Sequence, residues 1–232
     1  MPQASHLSGI LRVAGLCAFL VAGGMAIFHA PIDEQMGPVQ KLIYLHLPAA
    51  ILSFISAMVV FAASLGFLWT RQDVWNRVAR AAGIATVICS LTVLVTGMIW
   101  AHFMWGLWWT WSPRLTFTLV MCVLYAGYLL LRRLPGGSAT WDTRCAVYGC
   151  VVFLDVPLVY LSIRLLPDVH PTSIPLTAAM RNTLIPCYLA VGLGCAQLIL
   201  SPVLSAVRKQ PPTTVDHEDS SSHGTGNFRP QT

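Results

Sequence analysis

Charged residues are scarce in this sequence. Asp, Glu, Lys and Arg make up only 10% of its 232 residues while 56% are hydrophobic, a balance that would leave a soluble fold of this size short of polar surface. Period-two alternation of polar and apolar residues is also missing, which excludes a membrane β-barrel and leaves helices as the only way across lipid. The seven cysteines form no Cys-x-x-Cys pair, so the chain does not read as a thiol oxidoreductase, and they are expected to pack as small hydrophobes. There is no Walker sequence, so any ATP hydrolysis belongs to a partner. No Ser-His-Asp arrangement or cysteine nucleophile marks a conventional enzyme. No base-reading motif accompanies the net charge of +5, so nucleic acid is not an expected partner.

What the chain does have is long apolar runs. A helix needs about 20 residues, at about 1.5 Å of rise each, to cross a hydrocarbon core of roughly 30 Å. Six stretches qualify: Ile10 to His29, Ile43 to Trp69, Val78 to Ala101, Leu115 to Leu131, Cys145 to Leu166 and Thr183 to Val207. The first reads as a retained signal anchor, because it lacks a small-residue cleavage site and five more spans follow. The expected fold is an all-α, polytopic membrane helical bundle of six transmembrane helices.

Basic residues orient such a bundle, since they are retained on the cytoplasmic side during insertion. Arg12, Arg71, Arg77, Arg80, Arg132, Arg133, Arg144, Arg208, Lys209 and Arg229 fall on the side of the two termini; only Lys41, Arg114, Arg164 and Arg181 fall on the other. Ten against four places both termini in the cytoplasm. From Gln210 the chain turns polar and rich in Pro, Ser and Gly, without apolar periodicity, and such a segment cannot repay its ordering entropy. Residues 1–209 therefore form one membrane domain and 210–232 a disordered cytoplasmic tail.

This parity puts the first, third and fifth loops on one outer face. His46 enters the second span there, and the third loop holds Trp105, Trp108, Trp109 and Trp111, four tryptophans in seven positions. Trp100 lies just before them, Gly106 and Pro113 shape the loop, and the fifth loop carries His170. An interfacial aromatic belt accounts for an isolated tryptophan; this density offers a flat apolar platform as well. Four histidines, His29, His46, His102 and His170, share the outer side, and paired imidazoles are a common way to hold heme iron. Arg114, with Lys41 and Arg181 in reserve, supplies cations for carboxylates, or else a snorkelling anchor. Asp155, inside the fifth span, either bonds backbone freed by Pro157 or lines a polar path.

Together these residues carry a likeness. The run Tyr44-Leu45-His46-Leu47-Pro48-Ala49-Ala50, and the stretch from Val95-Thr96-Gly97 through Met104-Trp105-Gly106-Leu107-Trp108-Trp109-Thr110-Trp111 to Arg114-Leu115-Thr116, resemble the two signature regions of the cytochrome c maturation protein C family, also called heme exporter protein C. The resemblance implies a non-enzymatic, multi-pass protein of the bacterial cytoplasmic (inner) membrane. It would bind b-type heme transiently on the periplasmic side and present it to a heme chaperone for c-type cytochrome assembly. It further implies His46 and His170 as axial ligands of the heme iron, with Trp105, Trp108, Trp109, Trp111 and Arg114 holding the porphyrin. The implied partners are that chaperone, ATP-binding-cassette transporter subunits and a small single-span subunit, in a lipid bilayer. Two positions depart from the family: Ser112 stands where Asp is usual, and the segment before His170 lacks a paired Trp, with Pro171 in place of Gln.

Two other functions fit the composition. A b-type electron-transfer cytochrome would keep heme within the bundle, and a small-molecule transporter would use Asp155 in a gated path. Orientation can be checked directly. In a cysteine-free background, cysteines placed at Gln35, Leu107 and Thr172 should react with an impermeant thiol reagent added outside, and those at Gln72, Ser138 and Thr214 should not. The reverse labelling pattern would overturn the orientation.

Overall fold

The computed structural model describes residues 2–135, 139–165 and 175–209. They form α1 (Pro2–Gly24), extended by a π-helical turn at Met25–His29, a 3-10 turn at Pro38–Leu42, then α2 (Ile43–Thr70), α3 (Asp73–Trp105) and α4 (Pro113–Leu131). After them come α5 (Ala139–Val151), a 3-10 turn at Val152–Leu154, α6 (Asp155–Leu165) and α7 (Ala178–Lys209). Among the described residues the sole β pairing is an isolated bridge between Asp33 and Gly37. Six helices are long and apolar enough to cross a membrane: Ser8–His29, Pro38–Thr70, Asp73–Trp105, Pro113–Leu131, Ala139–Ser162 and Ala178–Ser205. Each coincides with one of the six runs read from the sequence, and the protein is a multi-pass all-α membrane bundle.

Small residues fill much of the interior. Ala57, Ala63, Ser64, Ala79, Ala82, Thr86 and Ser90 are almost fully buried, whereas Phe19, Trp69, Val123, Leu154 and Ile185 expose more than half of their surface. Lipid gives no hydrophobic reward for burying a large side chain, so close packing of small residues holds such helices together. α2 and α3 make the broadest contact, joined by the short turn Arg71–Gln72, in which Arg71 takes the left-handed conformation (φ 60°) and its N–H caps Phe67 O at 2.8 Å. α4 packs on α3 and α6, α5 on α2, and α7 against α2 and α3, while α1 packs chiefly on α7.

Tyr128 of α4 shows how tight this centre is. Its ring is fully buried, and a Cβ added at Gly83 of α3 would lie 3.0 Å from it. A Cβ at Gly149 of α5 would lie 3.2 Å from the same ring and would overlap Ser64 Oγ of α2. Arg132 closes the end of the stack, its guanidinium 4.9 Å from the Tyr128 ring centre and bonded to Asn76 Oδ1 at 3.2 and 3.3 Å. Four helices thus meet on one aromatic ring because two of them offer glycine.

The fifth span begins earlier than its apolar run, at Ala139, and it is broken. Pro157 has no N–H, and its ring crowds the carbonyl four residues back; just before it the chain tightens into the 3-10 turn at Val152–Leu154. Asp155 opens α6 at this break and is 5% exposed. Its Oδ2 has no hydrogen-bond partner among the described residues, so that oxygen does not make the expected bond to freed backbone.

Overpacking a filled site costs about 1–3 kcal/mol. Gly83→Val should therefore lower the thermal unfolding midpoint of the detergent-purified protein. Gly23→Val, where an added Cβ would meet nothing within 4 Å, should leave it unchanged. Size-exclusion chromatography after graded heating reads both.

Candidate functional site

Two successive crossings, α2 and α3, bring residues 30–42 and 106–112 to the same face of the bundle, opposite the α2–α3 turn. Chain entry into α2 is set locally: Asp33 Oδ1 accepts the N–H groups of Gln35 and Met36, both at 2.9 Å, and Gly37 turns at φ 62°. The 3-10 turn that follows delivers His46 to the start of α2. There it lines a pocket with Gln40, Thr96 and Trp100, with Trp105 from the end of α3 and with Arg114 from the first turn of α4. The rest of the lining is mostly apolar, including Leu94, Ala101 and Leu115. His46 Nδ1 and Thr96 Oγ1 are 2.8 Å apart, and a Cβ at Gly97 would come within 3.4 Å of His46 Cε1. The imidazole therefore lies against the backbone of α3.

Gly106 ends α3 in the left-handed conformation (φ 73°), and its N–H donates to His102 O at 2.9 Å. That reversal lays Trp108 flat on His102, with ring centres 4.0 Å apart and planes at 9°. The other tryptophans meet edge to face. Trp100 and Trp105 are 5.0 Å apart at 85°, and Trp109 and Trp111 are 5.5 Å apart at 81°. The rings thus form three aromatic pairs, two edge to face and one stacked, and not the single flat platform pictured from the sequence. Trp105 lines the pocket; Trp108, Trp109 and Trp111 lie outside it, and Trp111 is 74% exposed.

Ser112 occupies the N-cap of α4 with Pro113 after it, the favoured place for proline. Its hydroxyl makes no cap bond; instead its carbonyl accepts from Thr116 N at 3.0 Å and from Thr116 Oγ1 at 2.8 Å. Of the reserve cations, Lys41 Nζ donates to Ile27 O at 2.6 Å, and Arg181 is exposed near the start of α7. His29 ends the π-helical turn on the surface, and His102 does not line the pocket. His170 and the tail from Gln210 lie outside the described residues.

Two pocket residues escaped the reading of the sequence as site candidates. Gln40 is 2% exposed, with Nε2 3.4 Å from Met180 Sδ and Oε1 unpartnered among the described residues. Thr96 stands one helical turn before Trp100, and that spacing was the available signal for it. Chemically, the pocket combines an imidazole, a guanidinium and apolar walls with aromatic edges. Such a donor set suits a flat apolar ligand that carries a metal and peripheral carboxylates.

The heme exporter protein C family model matches residues 1–219. Heme exporter protein C of Paracoccus denitrificans is 39% identical over 119 residues, 51% of this chain and 49% of that protein. A cytochrome c biosynthesis ccmC-like mitochondrial protein of Marchantia polymorpha is 30% identical over 180 residues, 75% of this chain and 76% of that one. Heme exporter protein C of Escherichia coli is 34% identical over 170 residues, 70% of this chain and 66% of that one. The matched stretch spans about half the length of the Paracoccus relative. With the family model covering all six spans, the chain belongs to the heme exporter protein C family.

Proposed function

We propose that this protein binds heme on the face that carries His46 and presents it to a heme chaperone for c-type cytochrome assembly. The observation that carries the reading is the convergence of His46, Trp105 and Arg114 on one largely apolar pocket, from three different helices. Heme is the cargo, held non-covalently as b-type heme and only in transit. Within the pocket, His46 supplies one axial nitrogen, the apolar wall with Trp105 excludes water from the porphyrin, and Arg114 takes a propionate by a charge-assisted bond. His170 supplies the second axial nitrogen. Trp108, Trp109 and Trp111, outside the pocket, form the surface on which the chaperone docks, as interface anchors are often tryptophan.

The names of the relatives, heme exporter and cytochrome c biosynthesis protein, support this assignment. The heme face is periplasmic and the bilayer is the bacterial inner membrane. Both termini, including the polar segment 210–232, are cytoplasmic. Transporter subunits that hydrolyse ATP and a small single-span subunit complete the assembly. The protein performs no covalent chemistry of its own.

Loss of an iron ligand changes a heme spectrum more than loss of a neighbouring side chain. In the detergent-purified protein, His46→Ala and His170→Ala should each remove most of the heme or convert it to a high-spin form, and His29→Ala should do little. A silent His46→Ala would sink the ligand assignment. Damage by His102→Ala alongside a silent His170→Ala would move the second ligand to His102.

Hand-off separates a heme presenter from a cytochrome that keeps its cofactor. Trp108→Ala combined with Trp109→Ala should abolish chaperone-bound heme in cells, normalised to the membrane level of the variant. Normal loading would return the loop to a plain aromatic belt.

A further inference from the structure

The hydrogen bond between His46 and Thr96 fixes which nitrogen of the ring can bind a metal. Thr96 Oγ1 lies 2.6 Å from Thr92 O, 3.3 Å from Val93 O and 2.8 Å from His46 Nδ1. A hydroxyl has a single proton. Two oxygens at 2.6 Å repel unless a proton lies between them, so the Thr96 proton goes to the Thr92 carbonyl. The Thr96 oxygen is then an acceptor towards the ring, and Nδ1 must be the donor. A neutral imidazole carries one N–H, so Nε2 is left as the lone-pair nitrogen.

We infer that Thr96 is a positioning residue that holds His46 in its Nδ1–H form, aiming Nε2 as the metal-binding nitrogen of the pocket. The inference deepens the heme-binding reading and rests on it. Gly97 completes the cradle, because a Cβ there would sit 3.4 Å from Cε1 and 4.0 Å from Nδ1 of the ring. One turn of α3 thus supplies both the acceptor and the space that lets the ring reach it. A threonine that bonds back to its own helix needs no function by itself. Here the same oxygen also bonds Nδ1 of His46, across 50 residues of sequence. Partners on the far side of a metal-binding imidazole set its tautomer and basicity, and their loss typically costs about 10–100-fold in affinity.

The first arm of the test needs no heme. In apo-protein labelled with 15N-histidine, with His46 assigned by difference from His46→Gln, Nδ1 should be protonated and Nε2 not. Thr96→Ser should preserve that pattern and Thr96→Val, isosteric but without the acceptor, should lose it. A protonated Nε2 in wild-type apo-protein overturns the inference, as does an unchanged pattern in Thr96→Val; if Thr96→Val fails to fold, the wild-type tautomer decides. In the second arm, Thr96→Val should bind heme about 10–100-fold more weakly and raise its reduction potential, since a less basic ligand favours ferric iron less. Thr96→Ser should restore both, and identical potentials in Thr96→Val and wild type would overturn the inference. Failure of the heme reading looks different: His46→Ala would keep a wild-type heme spectrum while the apo tautomer result stood.

Discussion

Hydrocarbon offers no hydrogen bonds, so each backbone N–H and C=O that enters it must find its partner within the chain. Every described crossing is accordingly helical, and the number of crossings decides which loops meet. With six spans, the start of α2, the end of α3 and the start of α4 arrive at the same face, and His46, Trp105 and Arg114 arrive with them. Where the backbone departs from an α-helix, at the π-helical turn and at the 3-10 turn before α2, it borders that face, as expected where the chain leaves the apolar core. The 3-10 turn in the fifth span is the exception: it lies just before Pro157, with Val152 buried and Leu154 on the outside.

The second consequence of lipid is that bulk on the outside contributes little and closeness on the inside contributes most. Small residues of α2 and α3 let the two helices approach, and the glycines of α3 and α5 admit Tyr128 between them. The pocket is assembled at the other end of this same packed unit, from α2, α3 and α4. Its geometry therefore depends on the tightest part of the bundle, whereas α1, packed chiefly on α7, contributes no pocket residue. The His46 ring touches the α3 backbone at Gly97 for the same reason that Tyr128 touches Gly83: absence of a Cβ lets a ring lie against a helix.

The aromatic loop follows a different rule. Its rings pair two by two, and the pair that is stacked flat joins Trp108 to His102, which does not line the pocket. Trp105 alone of the loop's four tryptophans lines the pocket, while Trp108 and Trp111 are exposed outside it and Trp109 is half-buried.

Hydropathy and the count of basic residues are sums along the chain, so the number of spans, their approximate ends and the sharing of one face by His46, Trp105 and Arg114 could be read directly from the sequence. Family likeness added roles that no sum contains. What only the tertiary structure decided is which side chains touch: Thr96 with His46, Gln40 beside Met180, Trp108 on His102, Tyr128 between Gly83 and Gly149. These contacts depend on how far each helix is rotated about its axis and how closely it approaches its neighbour. Rotation and approach are set by side-chain shapes meeting across distant segments, and apolar residues of equal hydropathy differ in that respect while leaving the hydropathy of the sequence unchanged.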